Sequence, residues 1–279
     1  WFGQKSDEYK KYGTHRRILS FLRNHGLWIM TDVALSPASY DYTQELRLPI
    51  APVSSRAGNY KAFNKENIQH VWGKSVKTQD DNISNLSIYY FGSVPVSTAT
   101  EVISVDANNS YKISDFYKIS ATMRSWNKQQ TMVTVLYPRK NKQDELVDIQ
   151  DLSGDDIAGF TATLEDGTVV SYLVANDGDK TLTIGEITMT GEALLLLQTE
   201  SGQVYGMATG CKNIKVNGEN QNIQSENFEF SLSDSTLDEI INIYSPVADV
   251  KISPEANVFT DELQVELSCD TPDVEIYYT

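Results

Sequence analysis

HRRILSFLRNHGLWIMTDV, residues 15–33, holds two apolar runs around one turn signal. His15–Arg23 and Leu27–Val33 are rich in Ile, Leu, Phe and Trp. Asn24-His25-Gly26 lies between them. Asn and Gly tolerate the positive φ that a tight reversal needs, so the stretch reads as a hairpin. If residue 23 pairs with residue 27, Leu19, Phe21, Leu27 and Ile29 share one face. Ile18, Leu22, Trp28 and Met30 share the other. Strands that are apolar on both faces are covered on both sides, which predicts stacked sheets. The same register sets Arg16 diagonal to Asp32, within reach of an ion pair.

The β pattern continues outward from this hairpin. Asn85–Phe91, Tyr117–Met123, Thr131–Tyr137, Phe160–Leu164, Thr168–Ala175, Thr181–Met189, Ala193–Gln198 and Phe228–Leu232 alternate or run apolar. Glu165-Asp166-Gly167, Asn176-Asp177-Gly178, Glu200-Ser201-Gly202 and Asn217-Gly218 punctuate them. Short strands with regular turn signals predict an all-β protein built as a large antiparallel β-sandwich. Thr236–Tyr244 carries Leu237, Ile240, Ile241 and Tyr244 at helical spacing, and reads as a helix or as a strand entering a linker. Ser245-Pro246 marks a boundary between residues 1–244 and a partial small β module at 245–279. A softer boundary falls at 139–156, where the charge changes sign.

The 279 residues are enough for a sizeable core, and 40% hydrophobic with 10% aromatic content excludes a disordered chain. No run of about 18 apolar residues is present, so the sequence predicts no membrane span. Residues 1–142 carry 19 Lys+Arg against 11 Asp+Glu, and residues 143–279 carry 4 against 27. The acidic second half repels polyanions, and no basic–aromatic reader pattern is present, which argues against a nucleic-acid partner. The basic first half suits an anionic ligand or a solvated face. Cys211 and Cys269 read either as a pair or as two separate thiols. No phosphate-binding glycine loop, nucleophile elbow, CxxC or HExxH occurs.

Residues 13–49, GTHRRILSFLRNHGLWIMTDVALSPASYDYTQELRLP, carry an HRR triplet, a hairpin, Asp32 and a strand ending at Leu48-Pro49. Thr134-Val135-Leu136-Tyr137-Pro138 follows as a T-x-L-x-P strand. In this order they resemble the β-sandwich of heparinase II/III-like polysaccharide lyases, over roughly residues 1–235. Residues 246–279, ending in Ile276-Tyr277-Tyr278-Thr279, resemble the opening of a chitobiase/β-hexosaminidase-type C-terminal module.

The resemblance implies a lyase super-sandwich that forms one wall of a cleft. An α/α toroid supplies the other wall and most of the catalytic groups. The implied reaction is β-elimination on a uronate-containing acidic polysaccharide, by a secreted, periplasmic or cell-surface bacterial protein. It implies a piece of a longer enzyme that is inactive alone and carries no catalytic residue of its own. Arg17, Arg47, Arg56 and Tyr42 are the expected substrate contacts, with Tyr40 nearby, because Arg pairs bidentately with carboxylates and sulfates. No cofactor is expected within this chain, although the whole protein could hold zinc or calcium. His15, Asp32 and His70 form the alternative, a two-His, one-carboxylate metal set. His25 reads as a solvated turn residue. A competing class is a non-catalytic carbohydrate-binding or scaffold sandwich, with Trp72, Trp126 or Tyr89-Tyr90 as its stacking platform.

Overall fold

The computed structural model describes residues 13–36, 41–50, 53–55, 58–60, 62–81, 83–105, 114–140, 146–233, 236–240, 251–253 and 266–268. Arg56, Tyr40, Cys269 and the terminal Ile-Tyr-Tyr-Thr lie outside the described residues. The chain divides into two units, Trp1–Glu239 and Ile240–Thr279.

The first unit begins with β1 (Thr14–Leu22), β2 (Leu27–Leu35), β3 (Tyr42–Pro49), β4 (Val53–Ser55), β5 (Gly58–Tyr60) and β6 (Ile68–Val71). β7 (Ser75–Thr78), β8 (Asn85–Gly92), β9 (Val96–Val105), β10 (Ser114–Met123) and β11 (Gln130–Arg139) follow. Then come β12 (Val147–Asp151), β13 (Ile157–Thr163), β14 (Val169–Ala175), β15 (Thr181–Ile184), β16 (Ile187–Thr190) and β17 (Ala193–Gln198). β18 (Val204–Thr209), β19 (Asn213–Val216), β20 (Glu219–Asn220), β21 (Phe228–Ser233) and β22 (Thr236–Ile240) close the unit. Among the described residues there is no α-helix, and none therefore long and apolar enough to cross a membrane. The fold is all-β and antiparallel, as the turn spacing predicts.

The sheets have orders β1-β2-β11-β8-β7-β6, β3-β10-β9, β12-β13-β14-β17-β18-β21-β22 and β15-β16-β19-β20. Three cores join them. Val76, Ile88, Tyr90 and Met132 of the six-stranded sheet meet Leu48, Val96, Ile119 and Met123 of the three-stranded sheet. The other face of the six-stranded sheet, with Ile29, Phe91, Val133 and Val135, meets Phe160, Val170, Tyr172 and Leu195 of the seven-stranded sheet. That sheet's far face, with Leu194, Leu196 and Phe230, meets Leu182, Met189 and Ile214 of the four-stranded sheet. The order is three, six, seven and four strands. The two middle sheets are covered on both faces, which is why β2, β8, β11, β14 and β17 are apolar on both.

The opening hairpin differs from the sequence reading in one respect. Leu22 pairs with Leu27, and Arg23–His25 form a 3₁₀ turn closed by Gly26 in the left-handed region at φ +63°. The turn therefore holds four residues, and the register slips by one. A one-residue slip moves side chains to the opposite face. Leu19 and Phe21 of β1 thus share a face with Met30 and Trp28, and Arg17 rather than Arg16 stands opposite Asp32. β1 is an edge strand, so Leu19 and Phe21 remain exposed instead of doubly covered.

Two further differences have local causes. Thr181–Met189 is not one strand, because Gly185 at φ +57° reverses the chain between β15 and β16. The helical spacing at 236–244 gives way at its start to β22, which extends the seven-stranded sheet and buries Leu237. The 139–156 stretch holds the last residue of β11 and all of β12, and it falls within the first unit. In the second unit the described residues form one hairpin, β23 (Lys251–Ser253) with β24 (Glu266–Ser268).

Candidate functional site

Asp32 is the centre of the best-defined polar cluster. It lies in β2 with no solvent exposure, on the face turned toward the three-stranded sheet. A buried carboxylate is costly unless its oxygens are paired. Here they are. His15 Nε2 lies 2.8 Å from Oδ1. Arg17 Nε donates to Oδ1 at 2.7 Å, and its Nη2 donates to Oδ2 at 3.2 Å. Gln44 Nε2 donates to Oδ2 at 2.7 Å.

The alternation of each strand explains the meeting. His15 and Arg17 are two apart on β1, opposite Ala34 and Asp32. Tyr42 and Gln44 are two apart on β3 and point inward from the covering sheet. Gln44 Oε1 accepts a bond from Thr134 Oγ1 of β11 at 3.2 Å, which fixes the amide. Arg17 Nη2 also donates to the Tyr42 hydroxyl at 3.1 Å, and the Tyr42 ring lies 4.8 Å from the His15 ring.

Electrostatics follow the geometry. Burial pushes the Asp32 carboxyl up, but hydrogen bonds from His15, Arg17 and Gln44 and the Arg17 charge outweigh it and hold it below the usual range. The bond to Asp32 raises Arg17 further. Burial, aided by the Asp32 charge, pushes the Tyr42 phenol well up, so Tyr42 is a neutral donor at any physiological pH.

The exposed surface of the cluster is chemically specific. The His15 and Arg17 side chains are 41% and 44% exposed. Asp32 holds Nε2 of His15, the arrangement by which a carboxylate orients an imidazole. Arg17 uses Nε and Nη2 on Asp32 and Tyr42, which leaves Nη1 for a ligand oxygen. Such a pair can hold an anionic oxygen.

Of the expected contacts, Arg17 and Tyr42 are brought together. Arg47 lies on the outer face of the three-stranded sheet, half-exposed and 3.6 Å from Glu45. His15 and Asp32 meet, but His70 lies on β6, four strands from β2 and about 19 Å away at roughly 4.8 Å per strand. Its Nε2 lies 2.7 Å from Thr98 Oγ1, and burial pushes its pKa down. The three residues therefore do not form one metal set. Among the described residues no group of three or more His, Cys, Asp or Glu is placed to hold a metal ion. The His25 side chain is 20% exposed and its Nδ1 lies 3.3 Å from Asp166 Oδ2, so it makes an interlayer contact and is not a freely solvated turn residue.

The aromatic platform is also redistributed. Tyr89 and Tyr90 are buried at 5% and 3% exposure and cannot stack on a ligand. Trp72 is exposed, and Trp126 is exposed on one side with the Arg124 guanidinium 4.2 Å from its ring centre. Both follow strand ends at the Tyr42–Met123–Val96 end of the three-stranded sheet. Cys211 is buried in the core between the seven- and four-stranded sheets.

Gln44 and Thr134 are the members of the cluster that sequence reasoning missed. Comparison of the sequence with models of protein families gives no match, and comparison with curated proteins gives none.

Proposed function

We propose that the first unit is the β-sandwich wall of a substrate cleft in a polysaccharide lyase acting on uronate-containing acidic glycans. The observation that carries this reading is the anchoring of His15, Arg17 and Tyr42 on the buried Asp32 at an open layer edge. A fixed guanidinium beside an oriented imidazole suits a uronate carboxylate, whose neutralisation is the first requirement of β-elimination. The order of the HRR, hairpin, Asp and T-x-L-x-P segments and the four-layer stack support the same reading. The sandwich positions the glycan, and an α/α toroid supplies the rest of the chemistry. The protein acts outside the bacterial cytoplasm.

Isothermal titration with heparan, chondroitin, alginate and polygalacturonate oligosaccharides tests it. One of these is expected to bind, and Arg17→Ala is expected to weaken binding roughly tenfold, the value of one charge-assisted hydrogen bond. Binding of none, or binding unchanged by the substitution, sinks the proposal. The chain alone is expected to release no unsaturated uronate, and release of it would refute the inactive-wall reading.

A second reading, a non-catalytic glycan-binding module, is favoured by the exposed Trp72 and Trp126. It predicts that Trp72→Ala and Trp126→Ala abolish binding while Arg17→Ala does not.

A further inference from the structure

β1 separates two different environments. Its odd-numbered His15 and Arg17 bond Asp32, and His15 also borders the interlayer cavity. Its even-numbered residues Thr14 and Arg16 face the seven-stranded sheet, where a cavity of about 340 Å³ opens between the layers. The cavity is lined chiefly by polar groups, among them Arg16, Gln129, Asn176, Asp177 and Glu192. Its size lies at the small end of small-molecule sites, roughly 300–1,000 Å³.

We propose that this cavity binds a single neutral sugar ring, with Glu192 and Arg16 as its hydrogen-bonding groups. The proposal does not depend on the lyase reading.

Glu192 is held in place. Its carbonyl accepts from Ala175 N at 2.8 Å, and its N–H donates to Thr209 O at 2.9 Å. Its side chain lies in a slot walled by two glycines. A Cβ at Gly210 would stand 2.6 Å from Glu192 Cγ, and one at Gly178 would stand 3.3 Å from it. Gly210 also sits at φ +59°, so the slot needs glycine there for both conformation and space. From this slot the carboxylate reaches across to Arg16 Nη1 at 3.1 Å. Both side chains remain partly exposed, at 48% for Arg16 and 36% for Glu192.

Asn176 is 3% exposed. Its Nδ2 donates to Gln130 Oε1 and to Asp156 Oδ1, each at 3.1 Å. These two acceptors fix the amide orientation, because turning it would set oxygen against oxygen. The Oδ1 that remains is sealed from solvent, so Asn176 braces the cavity wall and does not reach the ligand.

The chemistry of the walls selects the ligand. A sugar hydroxyl both donates and accepts, so it satisfies a carboxylate on one side and a guanidinium on the other. Glu192 and Asp177 outnumber Arg16 among the charged groups, so a uronate is repelled and a neutral ring is preferred.

Saturation-transfer NMR on the whole chain tests the assignment, with methyl β-glucopyranoside, N-acetylglucosamine and glucuronate as probes. A neutral probe is expected to receive saturation and bind more tightly than glucuronate. Glu192→Gln is expected to weaken it about tenfold with an unchanged unfolding midpoint, and Arg17→Ala is expected to leave it unaltered. Arg16→Met, on an exposed edge strand, is the second variant and is expected to give a similar loss. Transfer to neither neutral probe, tighter binding of glucuronate, or binding indifferent to Glu192→Gln or Arg16→Met would each overturn it. Failure here leaves the Arg17-dependent binding of acidic glycans intact, and failure there leaves this site intact.

Discussion

The two outer interfaces of the stack enclose cores of different chemistry. Between the seven- and four-stranded sheets, Leu182, Met189, Leu194, Ile214 and Phe230 pack without a buried charge among the described residues. Between the six- and three-stranded sheets, Ile88, Ile119 and Met132 share the space with Asp32, Gln44, Thr98 and Thr134. Apolar packing is non-directional and tolerates exchange of similar volumes. A buried hydrogen-bond network is directional and fixes the pose of each member. The first interface therefore contributes stability, and the second holds His15, Arg17 and Tyr42 in one geometry. Function is expected to depend on the second.

The largest effect that separates the two is in the apolar core. Phe230 is fully buried over Gly206, where a Cβ would stand 2.2 Å from its ring. Phe230→Ala is expected to cost about 4 kcal/mol, the usual range for an emptied aromatic site, without altering glycan affinity of the folded protein. Urea unfolding measures the first and titration below the transition measures the second. A cost under about 1 kcal/mol would show that this interface is loosely packed.

Asp32→Ala should cost slightly less, about 3 kcal/mol, at the low end for breaking a buried ion pair because Arg17 is partly solvated. It also leaves Gln44 Nε2 buried without its acceptor. Asp32→Ala with Gln44→Leu should therefore cost less than the sum of the two single changes, and simple additivity would argue against one network.

The same carboxylate gives a pH signature. Its folded pKa is depressed, while an unfolded Asp titrates near about 3.9. The stabilisation is fully present above the unfolded value and is lost as pH falls through the folded one. Asp156, held down to about 2 by Lys128 and Lys180, acts in the same direction. The specific test is thus a difference. Asp32→Asn should flatten the fall in unfolding free energy below about pH 4 relative to the parent chain, and equal slopes would remove Asp32 as a contributor.

Much of the stack is readable from residue types, and the cluster is readable in part. Apolar residues on both faces of Leu27–Val33, Thr131–Tyr137 and Ala193–Gln198 announce double coverage. They do so because a strand with one wet face would carry polar residues on it. The hairpin register is harder to read. Asn24-His25-Gly26 fits a three- or a four-residue turn, and only the left-handed Gly26 opposite Arg23 O settles it. That single step exchanges Arg16 for Arg17 as the partner of Asp32. Gln44 and Thr134 were not readable, because their bonds form across two sheets whose offset no local pattern encodes. The Tyr89-Tyr90 pair looked like a platform, yet adjacent strand residues face opposite sides, and here both sides are covered.

The smallest expected effect compares two arginines of one type. Arg17 is bound through two nitrogens to a carboxylate that has no exposure, and its removal should cost about 1 kcal/mol after allowance for its solvent contact. Arg47 meets Glu45 across 3.6 Å with both side chains about half exposed. Lys118 also approaches Glu45 at 3.3 Å, so the loss of Arg47 leaves that carboxylate paired. Arg47→Ala should change stability by under about 0.5 kcal/mol, the range of an isolated surface pair. It should also leave acidic-glycan affinity unchanged, because it sits on the face of β3 opposite Tyr42 and Gln44. An Arg47→Ala variant that binds as weakly as Arg17→Ala would move the glycan to the outer face of the three-stranded sheet, and the Asp32 network would then be structural alone.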